Sequence, residues 1–148
     1  MALDGTYQPS PAQWVREQVE LYESSDGARG NTLRDTGLPV IIVTTRGAKS
    51  GAIRKTPLMR VEHLGQYALV ASKGGAPKHP LWYYNLVENP HEVAIQDGPA
   101  RFEVEVEELH GAEREQWWSR AVEAFPNYAE YQENTEREIP VFLATPKP

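Results

Sequence analysis

The sequence predicts an α+β fold: about six mostly antiparallel strands in a sheet or barrel, with flanking helices. Three observations predict it. Short β-branched runs bounded by turn residues recur along the 148 residues. Between Arg101 and Leu109, Phe102, Val104 and Val106 alternate with Glu103, Glu105 and Glu107, the period of a strand with one buried face. The longer helical patterns sit at the start and late in the chain, so the β-α-β-α rhythm of a parallel sheet is missing.

Residues 1–10 carry no apolar pattern and read as a loosely attached segment. Pro11 opens a helix to about Ser24, with Ser10 as its cap and Trp14, Val15, Val19 and Tyr22 as its apolar face. Ser24–Asn31 is a loop. Pro39–Thr45 is a short buried strand, and the glycines of Arg46–Gly51 turn the chain. Ala52–Glu62 is extended, with Pro57 marking an edge or a bulge. Gln66–Ser72 is the next strand, and the gap His63–Gly65 joins these two as a hairpin. After the glycine loop Lys73–Pro77, a short helix runs from Pro80 to about Glu88, stopped by Asn89–Pro90. His91–Gln96 and Arg101–Leu109 are strands joined by a turn at Asp97–Gly98. Gly111–Ala124 is a helix with Trp117, Trp118, Ala121 and Val122 apolar. A second helical piece covers Asn127–Glu138, and Ile139–Thr145 is the last strand.

This length fits one domain, residues 1–148, with 1–30 as an N-terminal segment and helix. The absence of cysteine excludes disulfides, thiolate metal sites and Cys nucleophiles. No basic start or apolar run marks a signal peptide, and stretches such as Val40–Val43 are far too short to span a bilayer. The expected location is the cytoplasm, with at most peripheral contact at the inner membrane face. That contact is expected to be weak or absent, because Glu17, Glu20 and Glu23 outnumber Arg16 on the first helix.

The formal net charge of -6 is unevenly spread. From Arg46 to Lys78 there are seven basic residues, Arg46, Lys49, Arg54, Lys55, Arg60, Lys73 and Lys78, opposed only by Glu62. From Ala100 to Glu138 eleven acids face four arginines, Arg101, Arg114, Arg120 and Arg137. An acidic chain with one basic segment does not suit nucleic acid; it suits a local site for an anionic ligand.

Four motifs could build such a site. In Thr44–Pro57, glycines allow close backbone approach while Lys and Arg supply charge-assisted bonds to phosphate or carboxylate. The bland alternative is a solvated hairpin, and the spacing is not that of a Walker A loop. In Ala71–Pro80, two glycines lead from a strand into a helix N-terminus, a place for an anion or an ordinary connection. Trp82, Tyr83, Tyr84, Asn85 and Leu86 could flank a planar ring, although Trp82 and Leu86 at i and i+4 favour core packing. Tyr128 and Tyr131 share one helix face and either line a pocket or pack. His63, His79, His91 and His110 show no metal spacing. No GxSxG elbow or GxGxxG loop is present.

The strings TTRGAKSGAIRKTPLMRV at 44–61, ASKGGAPKHPLWYYNL at 71–86 and NYAEYQENTEREIPVF at 127–142 are similar to the deazaflavin-dependent nitroreductase family of actinobacteria, which includes F420-dependent quinone reductases. The resemblance runs from about Leu38 to the end. It implies a split β-barrel related to FMN-binding barrels, and reduced coenzyme F420 as hydride donor to quinone-like or nitroaromatic acceptors. The phosphate and glutamates of that cofactor's tail would account for the basic segment. The resemblance implies that Lys49, Ser50, Arg54 and Lys55 hold the phosphate end, with Arg46, Gly51, Pro57, Lys73 and Lys78 also in the cofactor site. The Ala71, Ser72, Lys73, Gly74 and Gly75 backbone and Trp82, Tyr83, Asn85 and Leu86 would surround the ring. Tyr128 and Tyr131 would face the acceptor, Tyr128 also touching the cofactor; Tyr128 is the first candidate proton donor, then Tyr131 or Ser72. An FMN-dependent reductase on the same barrel and a non-catalytic F420 carrier are the alternatives. Monomer and homodimer are both left open.

Overall fold

A computed structural model describes residues 3–33 and 36–148. Its elements are α1 (Gln13–Ser24), β1 (Val40–Arg46), β2 (Ile53–Met59), β3 (Glu62–His63), β4 (Gln66–Val70), α2 (Leu81–Glu88), β5 (Val93–Asp97), β6 (Ala100–Glu108), α3 (Gly111–Ala124), α4 (Asn127–Glu133) and β7 (Val141–Pro146). The seven strands form one sheet in the order β2-β1-β5-β6-β7-β4-β3, every pairing antiparallel.

The two edges of this sheet are consecutive in the chain. Only Arg60 and Val61 separate β2 from β3. The Arg60 amide donates to Pro39 beside β1, and the Val61 carbonyl accepts from Ala68 in β4. One bent strand therefore serves both edges, and the sheet curls into a split barrel. This corrects the expected simple hairpin: the partner of β4 is the two-residue β3, and β2 pairs with β1. Pro57 lies on β2, an edge strand, where its missing N–H removes no ladder bond.

Strand alternation divides the core. Ile41, Val43, Leu69, Ile95, Val104 and Phe142 point into the barrel and meet Leu86 of α2, which plugs one end. Val40, Ile42, Met59, Val70, Val141 and Leu143 point outward and are covered by Val19 and Tyr22 of α1, Trp117 and Ala121 of α3, and Phe125 and Tyr128. Each such side chain, removed from water, contributes roughly 1.5–3 kcal/mol.

The segment expected to be loose is tied down. Met1 and Ala2 lie outside the described residues, but the Ile53 amide donates to the Thr6 carbonyl and the Gln8 amide to the Ile53 carbonyl. Ser10 does not cap α1: its hydroxyl accepts from Ala12, and the helix begins at Gln13. Trp14, expected on the apolar face, is 41% exposed, while Tyr22 is buried with its hydroxyl accepting from Gly98 at 2.7 Å. The end of α1 also meets that turn closely, where a Cβ on Gly27 would stand 2.5 Å from Gly98 Cα. α4 is shorter than expected. It stops at Glu133 because the Gln132 side chain bonds the Arg137 carbonyl and the Ile139 amide, turning the chain toward β7.

Candidate functional site

The turn between β1 and β2 is held on α2. The Ala48 amide donates to Asn85 Oδ1 at 2.9 Å, and Asn85 Nδ2 donates to Thr45 Oγ1 at 3.2 Å. Asn89 adds a longer bond to the Arg46 carbonyl. Asn85 is buried and each end of its amide makes one bond, so it positions the turn. Lys49, Ser50 and Gly51 are exposed at the tip.

Alternation along the strands sorts the seven cations. Arg46 pairs with Glu92 at 2.9 Å and donates to the carbonyls of Gly51 and Asp4. Lys55 pairs with Glu23 of α1 at 2.6 Å and lies over the Tyr7 ring. Arg60 grips both oxygens of Asp97, which also accepts from the Tyr67 hydroxyl. These three hold the fold together, so Arg46 and Lys55, both expected in the cofactor site, are engaged elsewhere. Pro57, also expected there, is buried opposite Ile42. Among the described residues, no carboxylate pairs with Lys49, Arg54, Lys73 or Lys78.

The second loop follows β4. Lys73, Gly74 and Gly75 all have positive φ, 47°, 64° and 83°. The lysine bears a strain there that glycine would not. Gly75 abuts α4, where a Cβ would stand 2.8 Å from the Tyr131 carbonyl oxygen. Among the described residues, the Ser72, Lys73 and Gly74 amides have no backbone acceptor, whereas the Ala71, Ser72 and Ala76 carbonyls all accept from Arg137. Sequence reasoning counted Arg137 only as a base in the acidic half; its distance of more than sixty residues from the loop left no local signal. The loop leads straight into α2, so both basic turns are fastened to one helix.

The aromatic candidates split. Leu86 is fully buried, and Trp82 and Tyr83 pack against Phe142 inside the barrel. Tyr83 also stacks on His79 with ring centroids 4.0 Å apart. Tyr128 is 4% exposed among Phe125, Trp118 and Tyr131. Burial, and then the neighbouring Tyr131 phenol, push its pKa well above the usual phenol value. Tyr131, beside Gly75, is half-buried. A cavity of about 1240 Å³ lies elsewhere, between α1, the N-terminal segment and the outer sheet face; Lys55 is the one expected site residue among its lining.

Among the described residues, the two basic turns flanking α2 thus combine cations without carboxylate partners and amides without backbone acceptors. The chain belongs to the F420H(2)-dependent quinone reductase family, whose model matches residues 14–146. It is 35% identical over 136 residues to an F420H(2)-dependent quinone reductase of Mycobacterium tuberculosis, covering 90% of each chain. Among solved structures it resembles an F420-H2-dependent reductase at 57% identity, with a TM-score of 0.68, over 72% of this chain and 93% of that one. It also resembles a chain solved as a domain-swapped dimer, at 52% identity and a TM-score of 0.70, over 91% and 99%. The protein is an F420-dependent oxidoreductase that acts on a small-molecule acceptor, as the sequence resemblance implied.

Proposed function

We propose that this chain reduces quinones and, in the same pocket, nitroaromatics, at a site formed by the 47–51 turn, the 72–78 loop and α4. The observation that carries this reading is the sorting of cations: among the described residues, Lys49, Lys73 and Lys78 in two turns fixed to α2, and Arg54 on β2 just beyond the first, are left without carboxylates, beside three amides without backbone acceptors. In an otherwise acidic protein such an arrangement favours a polyanion.

In this reading Lys49 and Arg54 hold the phosphate end, Lys73 and Lys78 lie nearer the ring, and the Ser72–Gly74 backbone receives the ring's polar edge. Bound there, F420H2 supplies a hydride, and the protein's part is to hold it, orient the acceptor and deliver a proton. Tyr131 takes the first place as proton donor and Tyr128 the second, because a sealed phenol with a raised pKa gives up its proton poorly. Ser72 remains the third candidate. Titration with F420 at low ionic strength, followed by oxidation of F420H2 with menadione and with a nitroaromatic, tests the reading. Binding without turnover of either acceptor overturns it.

The dimeric relative supports a proposal that this chain pairs with a second copy, checked by light scattering. No helix of the described residues is long and apolar enough to cross a membrane. We place the protein in the cytoplasm as one domain, with little attraction to anionic lipid, since Glu17 and Glu20 are exposed on α1.

A further inference from the structure

We propose that Arg137 is a positioning residue for the cofactor: it draws the Ala71, Ser72 and Ala76 carbonyls to itself, turns the Ser72 and Lys73 amides toward the ligand, and does so only while His79 is neutral. The proposal rests on the placement of the cofactor against the 72–78 loop.

The guanidinium makes four contacts. Nε donates to the Ala76 carbonyl at 2.9 Å, Nη2 to Ser72 at 2.8 Å, and Nη1 to Ala71 at 3.1 Å and to His79 Nδ1 at 3.1 Å. The Ala71 and Ser72 carbonyls held at one cation aim the Ser72 and Lys73 amides away from it, because a peptide's N–H points opposite to its C=O. Only arginine offers planar donors on three nitrogens; lysine has one nitrogen. The same residue is held to α4, since its own carbonyl accepts from Gln132 at 2.8 Å. The cofactor loop and the tyrosine helix thus share one anchor.

The contact with His79 makes the anchor sensitive to acid. Arginine can only donate, so Nδ1 must carry a lone pair, and a proton there replaces a hydrogen bond with two facing cations. His79 is also faced by Tyr83 and Tyr84 of α2 and by Glu108 of β6. Burial, and next Arg137 itself, hold its pKa below the ordinary imidazole value, with Glu108 opposing. The imidazole is therefore harder to protonate than a free one, and its contact with the anchor is lost only in acid.

The test is F420 titration by fluorescence from pH 5 to 8, with steady-state kinetics against menadione, for wild type, Arg137→Lys, His79→Asn and Lys49→Ala. Asn offers an oxygen acceptor that does not titrate. Arg137→Lys should raise the F420 dissociation constant roughly tenfold or more at pH 7.5, the size expected for lost charge-assisted bonds, and lower kcat as well, because the ring is held less uniformly. Wild-type affinity should fall on the acid side of the ordinary imidazole range, and His79→Asn should flatten that fall. A melting temperature for each variant separates unfolding from loss of the ligand. If Arg137→Lys binds like wild type while Lys49→Ala binds weakly, the cofactor placement stands and the role of Arg137 falls. If both variants bind like wild type, the placement falls and takes the proposal with it. An acid limb unchanged in His79→Asn overturns the pH coupling.

Discussion

Asn85 Oδ1 accepts a 2.9 Å hydrogen bond from the Ala48 amide, across 37 residues of chain. Through that bond a helix whose Leu86 fills the barrel also fixes a turn whose Lys49 faces solvent. Asn85→Leu removes it, together with the bond to Thr45, and strands two polar groups. A loss of about 1–3 kcal/mol in urea denaturation is expected, with weaker F420 binding. Affinity equal to wild type would detach the turn from the cofactor.

Lys49 and Lys55 are expected to separate. Lys49→Ala should leave stability within about 0.5 kcal/mol and weaken F420 binding, most of all at low salt. Lys55→Met breaks a part-exposed pair with Glu23; its cost to stability is up to about 1 kcal/mol, and F420 affinity should stay put. Titrations of both variants at two ionic strengths distinguish the ligand-facing cation from the structural one.

Tyr131→Phe should lower kcat severalfold while leaving F420 affinity nearly unchanged. Tyr128→Phe, altering a phenol buried among Phe125 and Trp118, should have the smaller effect on turnover. Stopped-flow oxidation of F420H2 by menadione ranks them, and a larger deficit for Tyr128→Phe restores the order the sequence suggested.

Gly75→Ala places a methyl 2.8 Å from the Tyr131 carbonyl at a φ of 83°. A destabilisation of about 1–3 kcal/mol is expected, and the loop must shift to accept it. Thermal melting and F420 titration should both register the change.

The Tyr67 hydroxyl bonds Asp97 at 2.6 Å while Arg60 grips the same carboxylate. Burial, the hydrogen bond to Asp97 and that group's charge raise the Tyr67 pKa well above 10. A phenol whose pKa rises on folding contributes stability that is complete below pH 10 and declines as the pH climbs toward the folded value. Urea midpoints should fall as the pH rises above 10, and less steeply in Tyr67→Phe.

Most elements were legible because their signals are local. The alternation of Phe102, Val104 and Val106, the glycine-hinged turns and the helix at Gly111–Ala124 follow from periodicity and turn chemistry alone. The three motif strings likewise announced the family.

Sequence alone could not show which cations serve the ligand. Arg46, Lys55 and Arg60 read like Lys49 and Arg54 along the chain, yet each finds a carboxylate 32 to 46 residues away. The same holds for Arg137, whose carbonyl partners come from the far side of the sequence. Charge and period are properties of neighbouring residues and survive in one dimension. Whether a charge is spent or free depends on what the curled sheet brings beside it, and only the folded chain decides that.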